Sequence, residues 1–143
     1  MIRVVLDTNV IVSSFLHPTG IPDRIIRAWK ANLFELCLSE PLFHEIEAVL
    51  KRPVIQRATH ASAKDIEEFL ELMTETSFFV GEPLVVKPLV AEDPDDDMIL
   101  ATGLAAQADV IVSGDHHLLK LNQYEEMPIV NPRRFLEMLG ETR

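Results

Sequence analysis

Four short apolar runs, Ile2–Leu6, Phe34–Leu38, Asp109–Ser113 and Pro128–Val130, alternate along the chain with segments of helical apolar spacing. Ile2–Leu6, β-branched and apolar apart from Arg3, and Asp109–Ser113 suit strands covered on both faces, as inside parallel sheets, and the other two runs suit short strands. Parallel neighbours need long crossover connections, and the intervening segments supply them. Ile21, Ile25, Ile26 and Trp29 mark a helix over 21–33. Ser39 suits an N-cap, with Pro41 in the first turn of a helix that ends near Lys51, before Arg52-Pro53. Ile66, Phe69, Leu70 and Met73 mark another over 63–76. Phe78–Val90 is β-rich but broken by Pro83 and Pro88, which leaves room for one or two short strands. An acidic run then opens a very apolar helix ending near Ala108, and a last helix spans 132–139. Strands alternating with helices predict an α/β domain with a mostly parallel sheet. There is no repeat and no linker, so residues 1–143 read as one domain.

In open α/β sheets, sites form at the carboxyl ends of the strands. Asp7 ends the first run and Asp115 lies just past the third. Either alone is an ordinary turn or capping residue, but two after buried strands of one parallel sheet fall on the same sheet edge. In the run Glu92-Asp-Pro-Asp-Asp-Asp97, Asp93 suits an N-cap before Pro94, and Asp95 and Asp96 suit the positive helix terminus. Asp97 does not fit that account. Its helical neighbours three, four and seven residues on are Leu100, Ala101 and Leu104, and a carboxylate on an apolar face needs compensation. On the 39–51 helix, Glu45 and Glu47 flank the stripe Leu42, Phe43, Ile46, Val49, Leu50 at opposite edges, and periodicity does not choose between them.

Carboxylates gathered at one edge repel one another, and a divalent cation relieves the repulsion. Mg²⁺ and Mn²⁺ prefer oxygen ligands, and an ion held there can polarise a phosphoryl oxygen and activate water. The charge balance bears on the substrate. The 13 Lys and Arg face 23 Asp and Glu, a net of −10, which argues against broad polyanion binding. A metal cluster accounts for part of that charge and leaves room for a short, locally engaged nucleic acid.

The chain resembles the PIN-domain family of metal-dependent nucleases over nearly its whole length. Val4-Val-Leu-Asp7-Thr8-Asn9-Val10 is similar to the family's first strand and acidic motif, and Leu42-Phe-His-Glu45 through Pro53 to the helix that carries its Glu. Asp93-Pro-Asp-Asp-Asp97-Met-Ile-Leu-Ala101 and Asp109-Val-Ile-Val-Ser113-Gly114-Asp115 are similar to the third and fourth motifs. The resemblance implies a three-layer α/β/α fold with a central parallel sheet. It also implies a Mg²⁺- or Mn²⁺-dependent endoribonuclease acting on phosphodiester bonds of single-stranded RNA. It selects Glu45 over Glu47 and implies Asp7, Glu45, Asp97 and Asp115 as catalytic metal ligands. Asn9 and Ser113 become supporting polar groups, and Asp95 an additional carboxylate. The consecutive aspartates and the Leu50-Lys-Arg-Pro53 ending are closest to the branch of toxin components of toxin–antitoxin pairs, which implies an antitoxin partner. A homodimer is also common in the family, and the apolar 98–108 helix and the 21–29 stripe are read as core with some surface left for one.

Two rival readings share the catalytic chemistry or discard it: a housekeeping RNA-processing nuclease, and a silent PIN-like module that binds RNA or protein. The spacing Asp93, Asp95, Asp97 also opens an EF-hand loop, but Met98 stands where that loop needs Gly and Leu104 where it needs Glu. Asp115-His116-His117 resembles the motif of another phosphoesterase family that this chain is too short to fit; the two histidines are expected to be a solvated pair. His17, His44 and His60 lack ligand spacing, and Cys37 reads as a small core residue. Arg24, Arg27, Lys51, Arg52, Arg57, Lys120, Arg133 and Arg134 are available to an RNA backbone, and most of them are expected to be ordinary solvated surface residues. One cysteine, no signal-like start and no stretch long enough to span a bilayer predict a cytoplasmic protein with no membrane partner.

Overall fold

The computed structural model describes residues 1–81 and 94–141. β1 (Arg3–Leu6) leads into α1 (Thr8–Leu16) and α2 (Ile21–Lys30), and β2 (Glu35–Leu38) into α3 (Glu40–Leu50), α4 (Pro53–Ala58) and α5 (Ala63–Thr76). β3 (Phe78–Phe79), α6 (Pro94–Ala106), β4 (Val110–Val112) and α7 (His116–Leu119) follow, then β5 (Gln123–Tyr124), β6 (Met127–Val130) and α8 (Pro132–Glu141). The sheet order is β3-β2-β1-β4-β6-β5, and every pairing is parallel except the β5–β6 hairpin. This is the expected α/β architecture, a central, mostly parallel sheet flanked by helices.

The strands carry the core. Val4, Val5 and Leu6 of β1, Leu36, Cys37 and Leu38 of β2, and Val110, Ile111 and Val112 of β4 are all buried, on both faces of the sheet. Each fully buried aliphatic side chain contributes about 1.5–3 kcal/mol. The stripe Ile25, Ile26, Trp29 is buried in the same core, with Trp29 and Phe15 each edge-on to Phe69 of α5. The apolar surface considered for a dimer is thus largely interior; on α6, Leu104 stays open at 39% exposure.

The chain leaves β1 for β2 on one side and leaves β4 for β6 on the other. The crevice at the carboxyl ends of β1 and β4 is therefore the topological switch point of the sheet. Leu6 pairs with Val112, and the Asp7 amide donates to the Val112 carbonyl at 2.9 Å, so Asp7 and Ser113 emerge side by side.

Two devices bring helices to that edge. Ser39 caps α3, accepting from the Leu42 amide at 3.3 Å, and its hydroxyl also lies 2.8 Å from the Thr102 hydroxyl of α6. Because Thr102 donates to the Met98 carbonyl, Ser39 is the donor in that pair, and the bond ties α3 to α6. Gly103 lets α6 close on the sheet: a Cβ there would lie 2.9 Å from Met127 Sδ and 3.2 Å from Ile111 Cδ1.

The sequence reading did not place four elements, the helices α1, α4 and α7 and the strand β5. Arg52-Pro53 does end α3, but Pro53 also starts α4, a six-residue helix that buries no side chain and so has no apolar stripe to announce it. β5 was hidden because its turn to β6 uses Glu125 at φ 55° in place of the Asn-Gly or Asp-Gly signals of tight hairpins. The Asp93 cap, and any strand beyond Gly81 in the 78–90 stretch, lie outside the described residues. Among the described residues, no helix is long and apolar enough to cross a membrane.

Candidate functional site

Asp7 follows β1 at the N-cap position of α1, with extended backbone and no side-chain capping bond. Its carboxylate accepts instead from the Ser113 hydroxyl at 2.6 Å, across the β1–β4 crevice. Ser113 is fully buried and also accepts from the Asp115 amide at 3.0 Å, so one hydroxyl links both acidic residues. Burial pushes the Asp7 carboxyl above the usual range. The Ser113 hydroxyl pulls it back, the charge of Asp115 pushes it up again, and the amides of Thr8 and Asn9 lower it without closing a cap bond.

Glu45 reaches the same place from α3. The hydroxyl of buried Thr8 donates to its carboxylate. Burial raises the Glu45 pKa, Thr8 opposes the rise, and Asp95 and Asp7 reinforce it by charge. Asp95 is also a side-chain hydrogen-bonding neighbour of Glu45, which adds to the rise. Glu47 faces elsewhere, pairing with Lys51 at 3.4 Å and lying 3.8 Å from His44. Geometry therefore separates the two glutamates that periodicity left equivalent.

Asp97 is buried at 5% exposure in the first turn of α6, the helix packed against β1, β2, β4 and α3. Asp96, assigned by its sequence position to the positive helix terminus, is buried as well, at 3%. Asp95 is exposed at its residue surface yet coupled to Glu45. Asn9 is exposed, and its side-chain oxygen is 3.5 Å from the Gly114 amide, a long bridge between the turns after β1 and β4. Asp7, Glu45, Asp95 and Asp115 thus converge electrostatically. Thr8 is the polar partner that sequence reasoning missed. Its hydroxyl, beside an acidic strand end and on the buried side of α1, was the available signal.

Carboxyl groups whose pKa rises because of burial and each other's charge are short of positive charge, and oxygen-only donors of this kind suit Mg²⁺ or Mn²⁺. The donor set fits such an ion. Beside it, the histidines depart from the expected solvated pair. His117 is half-buried, and ligand atoms of Asp115, His116 and His117 all lie within 4.8 Å of one another. The basic side chains behave as expected of a surface: Arg27 pairs with Asp23, Lys51 with Glu47 and Glu67, and Arg134 with Glu137.

A PIN-domain family model matches residues 3–117, from the first residue of β1 to the second histidine of α7. The chain belongs to the PIN-domain family. PIN domains are generally metal-dependent nucleases, and the matched segment contains Asp7, Glu45, Asp95, Asp97 and Asp115. This PIN domain is 24% identical over 148 residues to an uncharacterized protein of Methanocaldococcus jannaschii, covering 95% of this chain and 90% of that one. Its fold is similar to that in the crystal structure of FitAcB from Neisseria gonorrhoeae, with a TM-score of 0.51 at 16% identity, covering 91% of this chain and 98% of that one. At that identity the likeness is one of fold.

Proposed function

We propose that this PIN domain is an Mg²⁺- or Mn²⁺-dependent endoribonuclease that hydrolyses phosphodiester bonds in single-stranded RNA, acting in the cytoplasm as the toxin of a toxin–antitoxin pair. The observation that carries the catalytic part is the convergence of Asp7, Glu45, Asp95 and Asp115 at the switch point, with Asp7 and Glu45 raised by burial and mutual charge. Asp7, Glu45, Asp97 and Asp115 would hold the ion, with Asp95 as an additional carboxylate. When bound, a divalent ion polarises a phosphoryl oxygen and lowers the pKa of water.

The chain's own groups set the rest. Ser113 holds the Asp7 carboxylate and the Asp115 amide in fixed relation, and Thr8 holds Glu45. Glu45, with its raised pKa, is suited to accept a proton from an attacking water. Water is the nucleophile in this reading: Cys37 is buried in β2 with its thiol pushed up to about 11, and the Ser113 oxygen is engaged on both sides. An overall acidic chain favours a short RNA segment engaged locally.

The deciding experiment incubates purified protein with single-stranded RNA in Mg²⁺, in Mn²⁺ and in EDTA, alongside Asp7→Asn and Asp97→Asn. Cleavage that needs metal and drops by at least about 10²-fold in both variants supports the reading. Equal cleavage by wild type and both variants removes it. The toxin role rests on the aspartate run and the Leu50-Lys-Arg-Pro53 ending. It predicts growth arrest on expression, relieved by Asp7→Asn and by a co-expressed antitoxin. Light scattering tests the homodimer that belongs to the same reading; a monomer mass at micromolar concentration rules it out.

A further inference from the structure

The corner between β4 and α7 carries a second donor set of different chemistry. Asp115 caps α7, its Oδ1 accepting from the His117 amide at 2.8 Å, while its own amide donates to Ser113. These bonds set the backbone of three consecutive residues. The imidazoles of His116 and His117 lie side by side, ring centroids 4.2 Å apart and planes tilted by 33°. Each of the three side chains offers a ligand atom, and no two of those atoms are more than 4.8 Å apart. A tetrahedral ion with bonds of about 2.0–2.2 Å holds its donors roughly 3.3–3.6 Å apart. The donors therefore draw in by up to about 1.4 Å on binding, a movement within reach of side-chain rotation at the exposed His116.

We propose that Asp115, His116 and His117 form a second cation site, selective for a borderline divalent ion such as Zn²⁺ and sharing the Asp115 carboxylate with the acidic cluster. Nitrogen donors set the preference. Imidazole suits Zn²⁺ and Co²⁺, whereas Mg²⁺ takes oxygen ligands and gives up water reluctantly. Three protein ligands leave one position of a tetrahedral ion open, the arrangement of sites that bind water or a substrate oxygen. Asp115 also acts by charge on the Asp7 carboxyl, which links the two donor sets. The site needs no RNA cleavage to exist, so it stands apart from the nuclease reading.

The test is calorimetric titration of Zn²⁺ into the full chain in saturating Mg²⁺, with Co²⁺ absorption as the probe of nitrogen ligation. Wild type binds one Zn²⁺ that Mg²⁺ does not displace. His116→Ala and His117→Gln each weaken it by at least the roughly 10-fold that loss of even a supporting residue costs, and reduce the visible Co²⁺ bands. Circular dichroism of both variants stays that of wild type. Unchanged Zn²⁺ binding in both histidine variants overturns the proposal, as does full displacement of Zn²⁺ by Mg²⁺. RNA left uncut by a chain that still binds Zn²⁺ through the histidines overturns the nuclease reading alone.

Discussion

Ser113 and Asp7, 106 positions apart in sequence, are joined by a 2.6 Å hydrogen bond between the ends of two adjacent parallel strands. That bond lowers an Asp7 pKa that burial raises. Ser113→Ala removes the donor, so the Asp7 carboxyl moves further up and loses the bond that orients it toward an ion. Metal affinity is expected to fall about 10–100-fold, the usual effect of losing a residue that orients a ligand. Calorimetry with Mn²⁺ measures it, and unchanged affinity would show that the hydroxyl only fills space.

Asp7 and Glu45 are acids whose pKa is higher folded than unfolded, so the folded state binds their protons more tightly. Without metal, both weaken the fold at neutral pH, and that penalty disappears as pH falls through their folded pKa values toward the ordinary 3.8 and 4.5. Asp7→Asn keeps an acceptor for Ser113 and removes the charge. In EDTA at pH 7 it should melt a few degrees above wild type, with the gain vanishing below the ordinary Asp value. Mg²⁺ should reverse the order, because an ion at 100 times its Kd adds about 2.7 kcal/mol to wild type alone. A variant that melts no higher than wild type in EDTA would contradict this account of the cluster.

The Ser39–Thr102 pair holds α3, which carries Glu45, against α6, which carries Asp95 and Asp97. Ser39→Ala loses the cap and leaves the buried Thr102 oxygen without its donor, at a cost of about 1–3 kcal/mol. Ser62→Ala removes an exposed capping box on α5 for about 0.5–2 kcal/mol and touches no acidic residue of the cluster. Urea titrations should show both losses, while RNA cleavage should fall in Ser39→Ala alone. Equal cleavage by the two variants would mean that the α3–α6 tie does not position Glu45.

Cys37 is fully buried in β2, and its thiol is pushed from 9.0 to about 11, first by burial and then by the charge of Glu35. At pH 8 the native thiol stays protonated and unreactive, since the thiolate is the reactive form. A thiol reagent should label the chain only as fast as it opens. Stability should also decline above about pH 9, where the unfolded chain releases this proton and the folded one retains it. Rapid stoichiometric labelling of folded protein would refute the burial argument.

The strands, the α3 cap at Ser39 and the α/β class follow from the sequence because each depends on neighbours within a few positions: β-branched runs, helical spacing and a hydroxyl before a proline. Asp7 and Asp115 were legible for the same reason, since a parallel strand places its last residue on a known edge. Pairing was not legible. Glu45 and Glu47 are equivalent on their own helix, and only the seating of α3 against α1 and α6 gives Thr8, Asp7 and Asp95 to one and Lys51 to the other. His117 looked like a solvated position and Asp96 like a simple helix-terminus charge, because nothing local signals that a helix end will be covered. Local periodicity reports which side of an element faces inward. What lies opposite depends on strand order and helix seating, set by contacts tens of residues apart, and those contacts gather the carboxylates at one crevice.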